Sequence, residues 1–162
     1  MKKLIIILLL VFVVINLSVM GAEKKAKEPK FGLGICVGEP MGMSFKYWLT
    51  KKHAFGIALG WQGKEKTYFH IDYLTHNYKS IPKGELSGEV SSYSGVGMCI
   101  ISRTVGAGKS EATRGIRGVF GVSYLFEEMP VDIFAELVPT FIIEPETTGL
   151  LAASMGARYY FE

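Results

Sequence analysis

The chain is 162 residues long, carries 18 Lys and Arg against 15 Asp and Glu, and is 49% apolar. Two of those bases, Lys2 and Lys3, stand at the extreme N-terminus, so the rest is near neutral and nucleic acid is not indicated as a partner. The length suits one ordinary domain and leaves no room for a second.

Residues 1–22 have the layout of a secretory signal peptide. Lys2 and Lys3 precede the uncharged run LIIILLLVFVVINLSVM, and Gly21 and Ala22 supply the small residues at which such leaders are cut. A retained anchor is the alternative, because the run is long enough to cross ~30 Å of hydrocarbon. No cysteine stands directly after it to accept lipid. Residues 23–30 (EKKAKEPK) are a charged lead-in with no apolar face, and residues 31–162 form the domain.

From Phe31 onward eight apolar runs alternate with clusters of Gly, Pro, Lys, Glu and Thr. They lie near Phe31–Gly38, Met43–Leu49, Ala54–Trp61, Thr67–Tyr78, Tyr93–Val105, Gly115–Phe126, Val131–Ile143 and Gly149–Phe161. Their internal spacing is that of strands, and an even number closes a barrel. A transmembrane strand needs ~9 to 11 tilted residues, which most of these runs approach.

What alternates along each run decides the architecture. In the last run Leu151, Ala153, Met155, Ala157, Tyr159 and Phe161 share one face, and Ser154, Gly156, Arg158 and Tyr160 share the other. The seventh sets Ile133, Ala135, Leu137 and Phe141 against Asp132, Phe134, Glu136 and Thr140. The sixth sets Phe120 and Val122 against Arg117 and Ser123, the fourth Phe69, Ile71 and Tyr73 against His70, Asp72 and His76, and the second Phe45 and Tyr47 against Ser44 and Lys46. In the first, third and fifth runs the second face is nearly all small, as in Gly32, Gly34, Cys36 and Gly38.

A soluble barrel would turn the bulky face inward. Two features favour the reverse. The non-bulky face mixes glycines with isolated charges of both signs, which suits a narrow interior filled by paired side chains. The apolar-face residues at one end, Phe31, Tyr47, Tyr73, Tyr124, Phe126, Tyr159 and Phe161, form an aromatic belt of the kind found where lipid meets water. The expected fold is all-β: an eight-stranded antiparallel up-and-down transmembrane β-barrel after a signal peptide. Its interior charge network is expected to hold Asp132, Glu136, Arg158 and Arg117, with Arg158 opposite Phe134 and diagonal to both carboxylates. Eight strands enclose a space that side chains can fill, so no sizeable channel is expected.

Other chemistry carries less weight. His70, Asp72 and His76 share one face, but no motif fixes a serine beside them. Six residues of strand, ~20 Å, separate the two histidines too widely for one metal. GAGKS at Gly106–Ser110 lacks the full phosphate-loop spacing and a following helix, and reads as a loop. Cys36 and Cys99 fall on non-neighbouring strands and are expected as two unpaired buried thiols.

The stretches GIRGVFGVSYLFEEMPVDIFAELVPTF and GLLAASMGARYYF resemble the C-terminal half of small bacterial outer-membrane β-barrel proteins, the class that includes OmpA transmembrane domains and OmpX. The resemblance implies an outer-membrane location, with lipid and the barrel assembly machinery as partners. In that class the last strand ends on an aromatic residue that the machinery engages, and here Phe161 is penultimate. The long Lys79–Ser92 connection also departs from the class, falling where short turns are expected. The function expected is a non-enzymatic role in the cell envelope, structural or through a surface partner the sequence does not name, with no cofactor and no metal. The alternatives are a soluble periplasmic barrel holding a hydrophobic ligand and a lipid-modifying barrel enzyme.

Overall fold

The computed structural model describes residues 31–63, 65–79, 88–105 and 109–161. The signal peptide, the lead-in, and parts of the Lys79–Ser92 and GAGKS segments lie outside the described residues. Eight strands follow one another: β1 (Phe31–Gly38), β2 (Met41–Trp48), β3 (His53–Gln62), β4 (Lys66–Asn77), β5 (Glu89–Val105), β6 (Lys109–Leu125), β7 (Val131–Glu144) and β8 (Thr148–Phe161). Each pairs antiparallel with the next, and β8 returns to β1, so the sheet is a closed barrel without a free edge.

Two strand starts differ from the sequence reading by more than two residues. β5 begins at Glu89 rather than Tyr93, and β6 begins at Lys109 rather than Gly115, because the two strands stay paired from Glu89↔Leu125 out to Val105↔Lys109. The residues gained there are polar and lack an apolar face, so their periodicity carries no burial signal. Segment 106–114 is therefore mostly strand, and Lys109 and Ser110 open β6 rather than a helix. The β7–β8 register is also offset by two: Arg158 faces Asp132, and Phe134 faces Gly156.

The inward residues complement one another in size. Along one row of paired positions Tyr160, Gly32, Lys46, Gly56, Asp72, Gly97 and Arg117 follow in order around the barrel, large and small by turns. The glycines are required by the space beside them. A Cβ on Gly32 would come within 2.6 Å of the Tyr160 ring, one on Gly156 within 2.6 Å of Phe134, and one on Gly97 would collide with Asp72. An apolar layer of Leu74, Tyr93, Val119 and Val138 completes the filling.

The outward face is apolar throughout the middle of the barrel. Leu151, Ile35 and Met98 are 72%, 64% and 64% exposed, while Lys46, Asp132 and Arg158 are 1%, 2% and 4% exposed. This is the inverse of a water-soluble protein. The two ends also differ. At the end where β1 begins and β8 finishes, the terminal end, the connections are residues 49–52, 78–88 and 126–130; at the opposite, turn end they are 39–40, 63–65, 106–108 and 145–147. Gly38 and Gly63 take positive φ values of 119° and 65° at two of these tight turns, a conformation that favours glycine.

Candidate functional site: the charged interior and the end cavity

The interior polar side chains fall into clusters on different strands. The largest centres on Asp132 of β7. Its Oδ2 accepts a hydrogen bond from the Tyr160 hydroxyl at 2.7 Å, and Arg158 Nη1 and Lys46 Nζ lie 3.4 Å and 3.8 Å from the same atom. Arg158 also donates from Nε to Ser44 Oγ at 2.9 Å, approaches Glu136 Oε1 at 3.8 Å through Nη2, and rests on the Phe134 ring at 3.6 Å. Glu136 in turn accepts a hydrogen bond from the Tyr93 hydroxyl at 2.8 Å. The Lys46 ammonium lies over the Trp48 and Tyr93 rings, at 4.4 Å and 5.3 Å.

Arg117 stands apart from this group, which corrects the expectation of one network containing all four residues. It lies one row along β6 from Val119, in the apolar layer, and it pairs with Asp72: Nε is 3.1 Å from Asp72 Oδ1, and Nη1 is 2.8 Å from His70 Nδ1. His70 Nε2 is 3.5 Å from Asp72 Oδ2, which makes a compact triad. Charges removed from water this completely persist only where each meets an opposite charge or a hydrogen-bonding partner, and both clusters supply them.

A third cluster lies at the terminal end. His76, absent from the Asp72 triad, makes a 2.9 Å hydrogen bond through Nδ1 with Ser91 Oγ, which is 3.0 Å from Ser123 Oγ. Trp48 and Tyr93 pack on the His76 ring at 4.4 Å and 4.7 Å. Register alone brings these residues together, since Ser91 and Ser123 are paired on β5 and β6 and His76 faces Tyr93. Sequence reasoning missed the contact because Ser91 lies in the polar start of β5, outside the apolar run. No carboxylate among the described contacts orients His76, whose Nε2 has no hydrogen-bond partner among the described residues.

The belt residues gather at the terminal end but do not share one environment. Phe31 faces both Tyr47 and Phe161, and Tyr159 packs against Phe161 with ring centroids 5.0 Å apart. These four are exposed. Tyr73 packs against Phe55, a belt residue the sequence reading omitted, and its hydroxyl lies 3.0 Å from His53 Nδ1. Phe126 is the exception. It follows β6 in the turn, packs against Tyr124 at 4.7 Å, and lines a cavity at the barrel mouth instead of the outer face.

Cys36 and Cys99 are both free and buried. The Cys36 thiol donates to the Pro40 and Gly42 carbonyls at 3.5 Å and 3.6 Å.

Among solved structures, the chain is similar to the N-terminal β-barrel domain of Pseudomonas aeruginosa OprF. The TM-score is 0.56 at 15% sequence identity, over 85% of this chain and 100% of that one. At that identity the likeness speaks for the fold. No protein-family description matches the chain, and no curated protein matches it.

Proposed function

We propose that this chain is a bacterial outer-membrane protein whose barrel spans the lipid bilayer and serves the envelope without catalysing a reaction, as a structural element or through a surface partner. One observation carries the reading: large apolar side chains cover the outside of a closed barrel whose inside holds buried Lys, Arg, Asp and Glu. Hydrocarbon is the solvent for which that arrangement is favourable, because a closed barrel satisfies its backbone internally and outward apolar residues need no water. The fold shared with the OprF barrel domain supports the same reading. A soluble barrel carrying a hydrophobic ligand fits less well, since its ligand space would be the one these charges fill. The turn-end connections are short, which favours envelope integrity over a broad adhesive surface.

The test is fractionation combined with a detergent gel. The mature protein is expected with outer membranes, and its mobility is expected to change on heating, because closed barrels resist unfolding until heated. Recovery in the soluble periplasmic fraction, with no mobility change, overturns the proposal.

A further inference from the structure

We propose that the cavity at the terminal end binds an organic cation, an ammonium group carried on an apolar body. The cavity has a volume of about 530 Å³ and lies between the barrel interior and the β6–β7 turn. Its walls present the rings of Trp48, Tyr78, Phe126 and Tyr160. Its charged groups are Glu89, Glu127, Glu128 and Asp132, and no Lys or Arg is among the described residues that line it.

The acids alone would not make a site. The second observation is Asp132, 2% exposed, where the cavity meets the interior. Its Oδ2 takes Tyr160, Arg158 and Lys46, while its Oδ1 is buried with no hydrogen-bond partner among the described residues. A buried acceptor left bare is an open demand for a donor. Lys46 and Arg158 balance Asp132 and Glu136 in charge, so none of the described lining residues compensates the three glutamates.

The chemistry of the occupant follows. Carboxylates disfavour an anion, and a neutral guest would leave the glutamates unused. A hard divalent ion would want several oxygens converging on one point, and no three Asp, Glu, His or Cys side chains among the described residues are grouped to hold one. An ammonium group satisfies the carboxylates and is attracted to ring faces, and an apolar body fills the remaining space.

The experiment uses the full chain in a zwitterionic detergent. Trp48 and Trp61 are its two tryptophans, so Trp61→Phe leaves Trp48 as the sole reporter. Titration with benzylammonium chloride is expected to give a saturable change in Trp48 emission, and benzyl alcohol, the same body without charge, is expected to give none. Met129→Arg in the exposed β6–β7 turn sets a tethered guanidinium beside the cavity and is expected to weaken binding by about tenfold or more, as a competing charge-assisted contact would. Asp132→Asn should weaken it comparably. The double change Glu127→Gln, Glu128→Gln lies in the same turn, away from the interior packing, and should weaken it by about threefold. An equal response to benzyl alcohol overturns the proposal, as does a titration unaffected by both Met129→Arg and the double glutamine variant.

Discussion

Asp132 and Asp72 are buried carboxylates within one small barrel, yet they draw their partners from different distances. Asp72 meets His70 on its own strand and Arg117 two strands away. Asp132 meets Lys46 and Arg158, which lie on either side of β1, the strand at which the sheet closes. Arg158 bonds Ser44 across 114 residues of sequence, whereas Arg117 bonds His70 across 47. The reach is possible because β1 presents Gly32 and Gly34 to the interior, so β8 side chains pass over it to β2. Joining the first strand to the last carries the greatest loop-closure cost in such a fold. The contrast teaches that the Asp132 cluster fastens the seam, while the Asp72 cluster braces strands already held together by local hairpins.

The strongest test of that contrast is Arg158→Met, which leaves Asp132 to Lys46 and Tyr160 and leaves Glu136 with the Tyr93 hydroxyl and no cation among the described residues, and should cost about 3 to 5 kcal/mol in a urea refolding titration into lipid. A loss no larger than that of Arg117→Met would break the contrast. The comparison also needs inside and outside correctly assigned. Val122→Arg, placing a charge on the apolar outer face, should cost roughly 2 to 4 kcal/mol in the same titration. No loss there would mean the outer face does not meet hydrocarbon. Arg117→Met should cost about 1.5 to 3 kcal/mol, the range for a lost charge-assisted bond, because His70 stays in contact with Asp72. The smallest effect belongs to Glu144→Gln. Its partner Arg114 is 2.7 Å away, but the two side chains are 58% and 64% exposed, so a loss of about 0.2 to 1 kcal/mol is expected from thermal melts. A larger loss would show that the β5–β6 and β7–β8 hairpins are coupled at the turn end.

Face assignment was legible from the sequence because a strand's two-residue period leaves no intermediate position, and a bulky face opposite a charged one is unambiguous. Partner assignment was not. A register offset by two residues keeps every side chain on its face, so alternation could not separate Arg158 opposite Phe134 from Arg158 opposite Asp132. Turn length decided it, and the sequence marks the β7–β8 turn only by Pro145, Glu146 and Thr147. The reach of β5 and β6 beyond the apolar runs was hidden for a different reason. Ser91, Ser92, Ser110 and Thr113 are strand residues outside any continuous hydrophobic face, placed by pairing with Ser123, Val122, Thr104 and Ile101. Grouping Arg117 with Arg158 failed because both are inward charges, and only the closed barrel shows the layer of Leu74, Val119 and Val138 beside Arg117.

The row in which large and small residues alternate has a consequence for permeability. From Tyr160 to Arg117 every second position is glycine, so along this stretch of the row the filling comes from Tyr160, Lys46, Asp72 and Arg117. Among the described residues the lumen is filled by side chains, which are removable. Truncating that small set would thin the filling along this rising row, and opening the layer of Leu74, Tyr93, Val119 and Val138 as well would hollow the lumen while leaving the hydrogen-bonded wall intact, which makes the fold a compact starting point for a pore of chosen charge and bore.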